Sequence, residues 1–270
     1  MNHGADFISP MDIKAGTYED TKDSEIVIIT AGIAQKPNQT RMELVKTNID
    51  VLESIIPEVV KYSPNSILLL VSNPVDILSY VAYKVSGFPK ERVIGSGTVL
   101  DTSRFKYEIG KNFNIDPRDV ETYILGEHGD TSFPAWSLTN IKSIPIGEYA
   151  KLMDITYDND LKHNTYENVK DAAYEVINKK GATYYAIASS TTHIVSAILK
   201  DKKCILPVSS LVHDYYDADD IYMGVPSIIG RNGVERILKV PLKDDEIKNL
   251  NKSVNVLEKT LNESFRNRTE

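Results

Sequence analysis

Two short runs in this chain are apolar without a break. One is Ile26-Val27-Ile28-Ile29, entered from Glu25 and left at Thr30; the other is Ile67-Leu68-Leu69-Leu70-Val71, between Ser66 and Ser72. A strand with one face in water alternates polar and apolar residues. A strand that is apolar at every position is covered on both faces, as in a parallel sheet. Between the two runs, Leu44, Val45, Ile49, Leu52, Ile56, Val59 and Val60 recur at helical spacing. Asn73-Pro74 then opens another helix, and a third short run, Val93-Ile94, ends at Gly95-Ser96-Gly97. Strand, helix, strand, helix, strand in this order predicts βαβ units and a parallel sheet.

The second half reads differently. Helical periodicity is predicted over about 100–112, 166–179 and 183–199, and strand-like runs over 204–212 and 220–225, separated by Asp- and Tyr-rich turn residues. A last helix starts near Asp244-Asp245-Glu246, acidic at its N-terminus as the helix dipole favours. At the other end Asp12-Ile13-Lys14 is a brief strand candidate in a turn-rich, acidic opening. The fold class is therefore α/β: a sheet-and-helix domain over residues 1–95 and a mixed α+β domain over 96–270.

Charge and composition narrow the function. A net charge of -7 with no basic cluster argues against nucleic acid or an anionic membrane as partner. Cys204 is the single cysteine, so no internal disulfide can form and a cytoplasmic setting is expected. No apolar run reaches membrane-spanning length, and Met1-Asn2-His3-Gly4 has neither the basic region nor the apolar core of a signal peptide.

The chemistry points to Gly126-Glu127-His128-Gly129-Asp130, just after the apolar Tyr123-Ile124-Leu125. Histidine takes and returns a proton near neutral pH. The flanking glycines read as room for a substrate to approach the ring. Asp101 and Arg104, three apart on a predicted helix, share one face. Asn73 ends a buried strand, Arg41 ends a polar loop, and Thr183 stands near a helix start. Taken singly, each also reads blandly: a satisfied histidine, a cap with a surface ion pair, an N-cap before Pro74, a solvated arginine, a helix start.

Taken together, these segments resemble one family. Ile29-Thr30-Ala31-Gly32, the Gln35-Lys36-Pro37 loop ending at Thr40-Arg41, Ser72-Asn73-Pro74-Val75-Asp76, Gly95-Ser96-Gly97-Thr98 with Leu100-Asp101 and Arg104-Phe105, Gly126-Glu127-His128-Gly129-Asp130, Lys180-Gly181-Ala182-Thr183 and Gly224-Val225-Pro226 are, in order, similar to the NAD-dependent L-lactate dehydrogenases of the lactate/malate dehydrogenase superfamily.

The resemblance implies roles. His128 would exchange a proton with the substrate oxygen, Asp101 would orient its ring, and Arg41 would polarise the carbonyl from a closing loop. Arg104 would grip the substrate carboxylate as a bidentate fork, and Gln35, Asn73 and Thr183 would complete the substrate site. Ala31, Gly32, Asn48, Val71, Asn73 and Ser96 would line NAD; no metal is implied. The reaction implied is hydride transfer between NADH and pyruvate, giving L-lactate at the end of glycolysis in fermentation, by a homotetramer.

Gln35 stands where malate dehydrogenases carry arginine. A neutral amide cannot balance the second carboxylate of oxaloacetate, so pyruvate is expected over malate-type or other 2-hydroxyacid substrates. Lys106 and Glu121 stand where many bacterial relatives bind fructose 1,6-bisphosphate through arginine and histidine, so no activation by that effector is expected.

The family's opening strand, Gly-rich phosphate loop and ribose-binding acid have no counterpart here. About fifty residues, a βαβ unit and a little more, are missing by this reading. The third glycine position after Gly95-Ser96-Gly97 holds Leu100, so that turn is a decoy. The doubly wound sheet is therefore expected to be incomplete, with 25–30 as an exposed apolar edge, residues 1–24 unpaired, and cofactor binding weak. The competing expectation is an inactive fragment or a subunit-interaction protein.

Overall fold

The computed structural model describes residues 11–33 and 40–268. Its centre is a six-stranded sheet in the order β1-β2-β3-β9-β10-β11. The first three strands, β1 (Ile26–Ile29), β2 (Ile67–Leu70) and β3 (Val93–Gly95), run parallel. Helices α1 (Arg41–Tyr62) and α2 (Val75–Ser86) make the crossovers. The unbroken apolar run of β2 is buried at all four positions, as its two-sided covering requires. On α1 the periodic residues Val45, Ile49, Leu52, Ile56 and Val59 are buried in one core with Leu68, Leu70 and α2. Thr40 opens α1 with a capping box: its side chain accepts from the Glu43 amide at 3.2 Å, and the Glu43 carboxylate accepts from the Thr40 amide at 2.9 Å.

The second half contributes α3 (Val99–Phe113), α4 (Ile146–Leu152), α5 (Asn159–Lys180), α6 (Tyr185–Leu199) and α7 (Asp244–Ser264). Its long strands β9 (Cys204–Val212), β10 (Ile221–Gly230) and β11 (Gly233–Ile237) are antiparallel and extend the same sheet, β3 meeting β9 at Gly95 and Ser209. A hairpin of β5 (Ile124–Leu125) and β6 (Phe133–Pro134) spans residues 124–134. Beside it lies a small sheet of β4 (Val120–Glu121), β7 (Asn140–Ile141) and β8 (Ile144–Pro145). A separate core around Phe105, Ile109, Phe113 and Ile124 seats α3 beneath the hairpin.

Several elements differ from the sequence reading. Asp12-Ile13-Lys14 is not a strand: 11–18 lacks regular structure, no strand among the described residues pairs with it, and Lys14 is taken up by an exposed ion pair with Asp20 at 2.9 Å. The helix expected from Thr183 begins at Tyr185, and α5 begins seven residues before the expected Tyr166. Pro74, not Asn73, is the cap residue of α2, with no side-chain cap bond. The strand expected over 220–225 continues to Gly230 and turns back as β11. Two-residue strands and the seven-residue α4 carry too little periodicity to register in sequence. As expected, β1 is an edge strand among the described residues, with Ile28 44% exposed. Among those residues no helix is long and apolar enough to cross a membrane.

Candidate active site

His128 lies in the β5–β6 hairpin, and three separate elements hold it. From α3, Asp101 Oδ2 meets His128 Nδ1 at 2.7 Å. One helical turn on, Arg104 Nη1 donates to Asp101 Oδ1 at 3.1 Å. The shared helix face inferred from the 101/104 spacing is thus an observed chain, Arg104–Asp101–His128, with each side chain mostly shielded from solvent. From α2, the buried Asp76 accepts the His128 backbone amide at 2.7 Å through Oδ2, and the Ser209 hydroxyl of β9 at 2.5 Å through Oδ1. From α7, Ser253 donates to the Thr131 carbonyl at 2.7 Å, while Thr131 Oγ1 reaches Ser253 Oγ and the Glu127 carboxylate.

The charges follow from this packing. Burial disfavours the imidazolium, but the Asp101 charge and hydrogen bond, aided by Asp76, outweigh it and raise His128 to about 9. Burial opposes ionisation of Asp101 too, yet His128 and Arg104 hold its carboxyl below the usual range. Asp76 has no cation at bonding distance; burial pushes it up to about 6 against the bonds from Ser209 and His128. The site therefore holds a charged proton donor at neutral pH, oriented by a carboxylate, with a guanidinium beside it.

The glycines serve a different end from the one read in sequence. At Gly126, whose φ is +90°, a Cβ would stand 2.4 Å from Ser253 Oγ; at Gly129 it would meet the Glu127 carboxylate at 2.8 Å. Both make room for the protein's own packing rather than for a substrate. Gly97 likewise admits a backbone: at φ +54° its Cβ would lie 2.3 Å from the Ser209 nitrogen. The Gly95–Gly97 turn is closed by β9 and cannot cradle a phosphate, in keeping with its reading as a decoy.

The other expected residues are placed unevenly. Asn48 on α1 accepts the Ile33 amide at 2.8 Å and donates to the Asn73 carbonyl at 3.0 Å, so it ties the segment after β1 to the β2–α2 turn. Gly32 sits against Ser72 and Asn48, Ser72 bonds the Ala31 carbonyl at 2.6 Å, Val71 follows β2, and the buried Ser96 follows β3. Ala31, Gly32, Asn48, Val71, Asn73 and Ser96 thus gather at the C-terminal ends of the parallel strands, where open α/β sheets bind ligands. Among the described residues, the glycine turn between β3 and α3 is filled by backbone and offers no cradle for a phosphate. Among them, no hydrogen bond joins Thr183 to His128, Asp101 or Arg104. Gln35 and the Arg41 side chain lie outside the described residues. No cluster of metal-ligating side chains occurs among the described residues. Lys106 and Glu121 both line a cavity of about 780 Å³ with Arg118 and His193.

Sequence reasoning assigned no role to Asp76, Ser209 or Ser253. In sequence Asp76 reads as a first-turn acid on a helix; only its burial reveals that it anchors the histidine.

The chain is similar in sequence and fold to known proteins. Residues 1–95 match the lactate/malate dehydrogenase NAD-binding domain, and residues 98–268 match the lactate/malate dehydrogenase alpha/beta C-terminal domain. An L-lactate dehydrogenase of Clostridium botulinum is 59% identical over 262 residues, covering 97% of this chain and 82% of the relative. L-lactate dehydrogenase 1 of Clostridium acetobutylicum is 56% identical, covering 98% and 85%. Among solved structures, the lactate dehydrogenase MGS-M5 from a Medee basin deep-sea metagenome superposes with a TM-score of 0.94 at 45% identity, over 97% of this chain and 84% of that one. The minor L-lactate dehydrogenase of Enterococcus mundtii, with ligands bound, gives 0.88 at 45% identity, over 92% and 78%. With the histidine, aspartate and arginine assembled on such a frame, the chain belongs to the lactate/malate dehydrogenase family.

Proposed function

We propose that this chain is an L-lactate dehydrogenase in which His128, Asp101 and Arg104 perform the substrate chemistry. The single observation that carries the reading is the Arg104–Asp101–His128 chain, with the imidazole held protonated at neutral pH. Arg104 presents a fork that fits the carboxylate of a 2-oxo acid. His128 Nε2, opposite the nitrogen held by Asp101, gives its proton to the carbonyl oxygen as that oxygen gains charge, and takes it back in the reverse direction. Asp101 keeps the ring in place and balances its charge in both states. NAD, when bound, supplies or accepts the hydride. By family resemblance, Ala31, Gly32, Asn48, Val71, Asn73 and Ser96 are assigned to the cofactor, and Arg41, Gln35 and Thr183 to the substrate.

Residues 1–95 form the cofactor side and 96–270 the substrate side, joined through β3 and β9. The test is pyruvate reduction at NADH concentrations raised until the rate saturates. L-lactate is expected, with oxaloacetate reduced far more slowly and His128→Asn removing turnover. A preference for oxaloacetate, or a rate indifferent to His128→Asn, would overturn the reading.

A further inference from the structure

Tyr166, in the first half of α5, is where that helix reaches the loop bearing His128. Its hydroxyl donates to the Ser132 carbonyl and accepts from Ser132 Oγ at 3.0 Å. Ser132 closes the turn begun at Gly129, its amide bonding the Gly129 carbonyl at 3.4 Å. Tyr166 therefore grips the far end of the His128 turn at Ser132, while Asp76 grips it at the His128 amide and Ser253 at Thr131. Burial pushes the phenol up to about 12, against the bond with Ser132, so it stays a donor at neutral pH.

The helix that carries Tyr166 is itself fixed to the helix that carries Asp101 and Arg104. Asn112 Nδ2 donates to Thr165 Oγ1 at 2.7 Å, and Asn168 Nδ2 donates to Glu108 Oε2 at 3.0 Å. Thr165 and Asn168 lie on either side of Tyr166 along α5, so three contacts within one helical turn tie α3, α5 and the hairpin loop. Beyond its C-terminus α5 leads through Gly181 to Thr183.

We propose that Tyr166 is a positioning residue for the proton donor: its hydroxyl fixes the His128 loop onto α5, so that the imidazole keeps its line to Asp101 and to a bound substrate. The kinetic consequence rests on the lactate dehydrogenase reading; the latch itself does not. The charged groups facing His128 are Asp101 and Arg104 from α3 and Asp76 from α2; Glu127 of its own loop acts on Asp76 and is held by Thr131. Freeing the loop loosens the first of these pairings, and the imidazole then loses part of the charge that keeps it protonated.

Tyr166→Phe keeps the ring and removes the hydroxyl; Ser132→Ala removes one of its two partners and leaves the carbonyl. The test is an NMR titration of the His128 ring in parent and variants, together with pyruvate kinetics. In Tyr166→Phe the His128 pKa is expected to fall towards the ordinary imidazole value. Its kcat is expected to drop about tenfold, with KM nearly constant, as misplacement of a catalytic group predicts. Ser132→Ala is expected to give a smaller change in the same direction, and the double variant is expected to equal Tyr166→Phe, because one bond is being cut twice. A His128 titration that is the same in parent and both variants, or single effects that simply add, would overturn the proposal. If Tyr166→Phe does not fold, the Ser132→Ala titration decides alone. If parent and variants all fail to reduce pyruvate while the titration shifts, the latch stands and the lactate dehydrogenase reading falls.

Discussion

The imidazole of His128 sets the pH behaviour of the site. Its folded-state pKa, about 9, lies above the ordinary 6.5. Pyruvate reduction consumes the proton it carries, so the reduction rate is expected to hold through neutrality and fall as pH rises through about 9; lactate oxidation, which needs the free base, rises over the same window. The linkage to stability has the same sign. The raised pKa stabilises the folded chain fully below the unfolded value, and that contribution is lost as pH rises through about 9. Asp101→Asn removes the partner that raises the ring, so the inflection in kcat/KM for pyruvate is expected to move down and kcat to fall. An unchanged inflection in a stopped-flow pH series would show that Asp101 does not set it.

Asp76 makes a separate residue-scale case. Its carboxylate accepts from two donors on two elements, His128 N and Ser209 Oγ. An Asn at 76 can accept from one and must turn its amide against the other, leaving a buried donor unpaired. Asp76→Asn is expected to cost about 1–3 kcal/mol in denaturant unfolding and to lower kcat, since the lost bond holds the catalytic loop. Gln35→Arg, at a position outside the described residues, would put a cation where a second carboxylate must be balanced. A shift of at least about tenfold, or roughly 1.4 kcal/mol, towards oxaloacetate in the ratio of specificity constants is expected. A smaller shift would mean that Gln35 is not the selector.

At the scale of elements, the β3–α3 turn shows how one residue serves a whole sheet. Gly97 lets β9 approach so closely that a Cβ would sit among the Ser209 nitrogen, the Val208 carbon and the Pro207 oxygen. Gly97→Ala is expected to destabilise by about 2–4 kcal/mol, combining a left-handed φ with overpacking against backbone that cannot yield. It should also disturb Asp76, whose partner Ser209 lies on that strand. A melting temperature like the parent's would disprove this account. On α3 and β4 the effector question has a local answer. Burial lowers the pKa of Lys106 while Glu121 raises it. A sugar bisphosphate would have to enter against the Glu121 carboxylate, so fructose 1,6-bisphosphate is expected to leave the pyruvate KM unchanged.

Across the whole molecule, one sheet carries both halves, so the site forms only when α2, α3, β9 and α7 are all packed. The cofactor is the weaker part of this arrangement. Ala31, Gly32, Asn48, Val71, Asn73 and Ser96 gather at the C-terminal ends of the parallel strands, while the glycine turn between β3 and α3 is filled by β9. NADH is therefore expected to bind this 270-residue chain closer to millimolar than micromolar, a difference of about 4 kcal/mol. Fluorescence titration that saturates in the micromolar range would show that phosphate contacts come from residues outside those described.

Sequence alone determined the parallel core, because continuous apolar runs and a helical apolar stripe are local patterns: β2 and α1 are buried as those patterns require, whereas β1 forms in the expected place but, lying at the edge of the described sheet, leaves Ile28 44% exposed instead of covered on both faces. It also determined the pairing of Asp101 with Arg104, since helical geometry alone puts residues three apart on one face. It misjudged Asp12-Ile13-Lys14, where a strand needs a neighbour that no local pattern can supply. It could not reveal that Gly126 and Gly129 make room for Ser253 and Glu127, or that a first-turn acid on α2 anchors the histidine of a distant hairpin. Nor could it show that Tyr166 reaches Ser132. The hydrogen bonds that hold this loop and its anchor Asp76 join residues from 34 to 133 positions apart, and only the packed structure decides which buried groups find partners, because burial makes an unpaired donor or carboxylate too costly to leave.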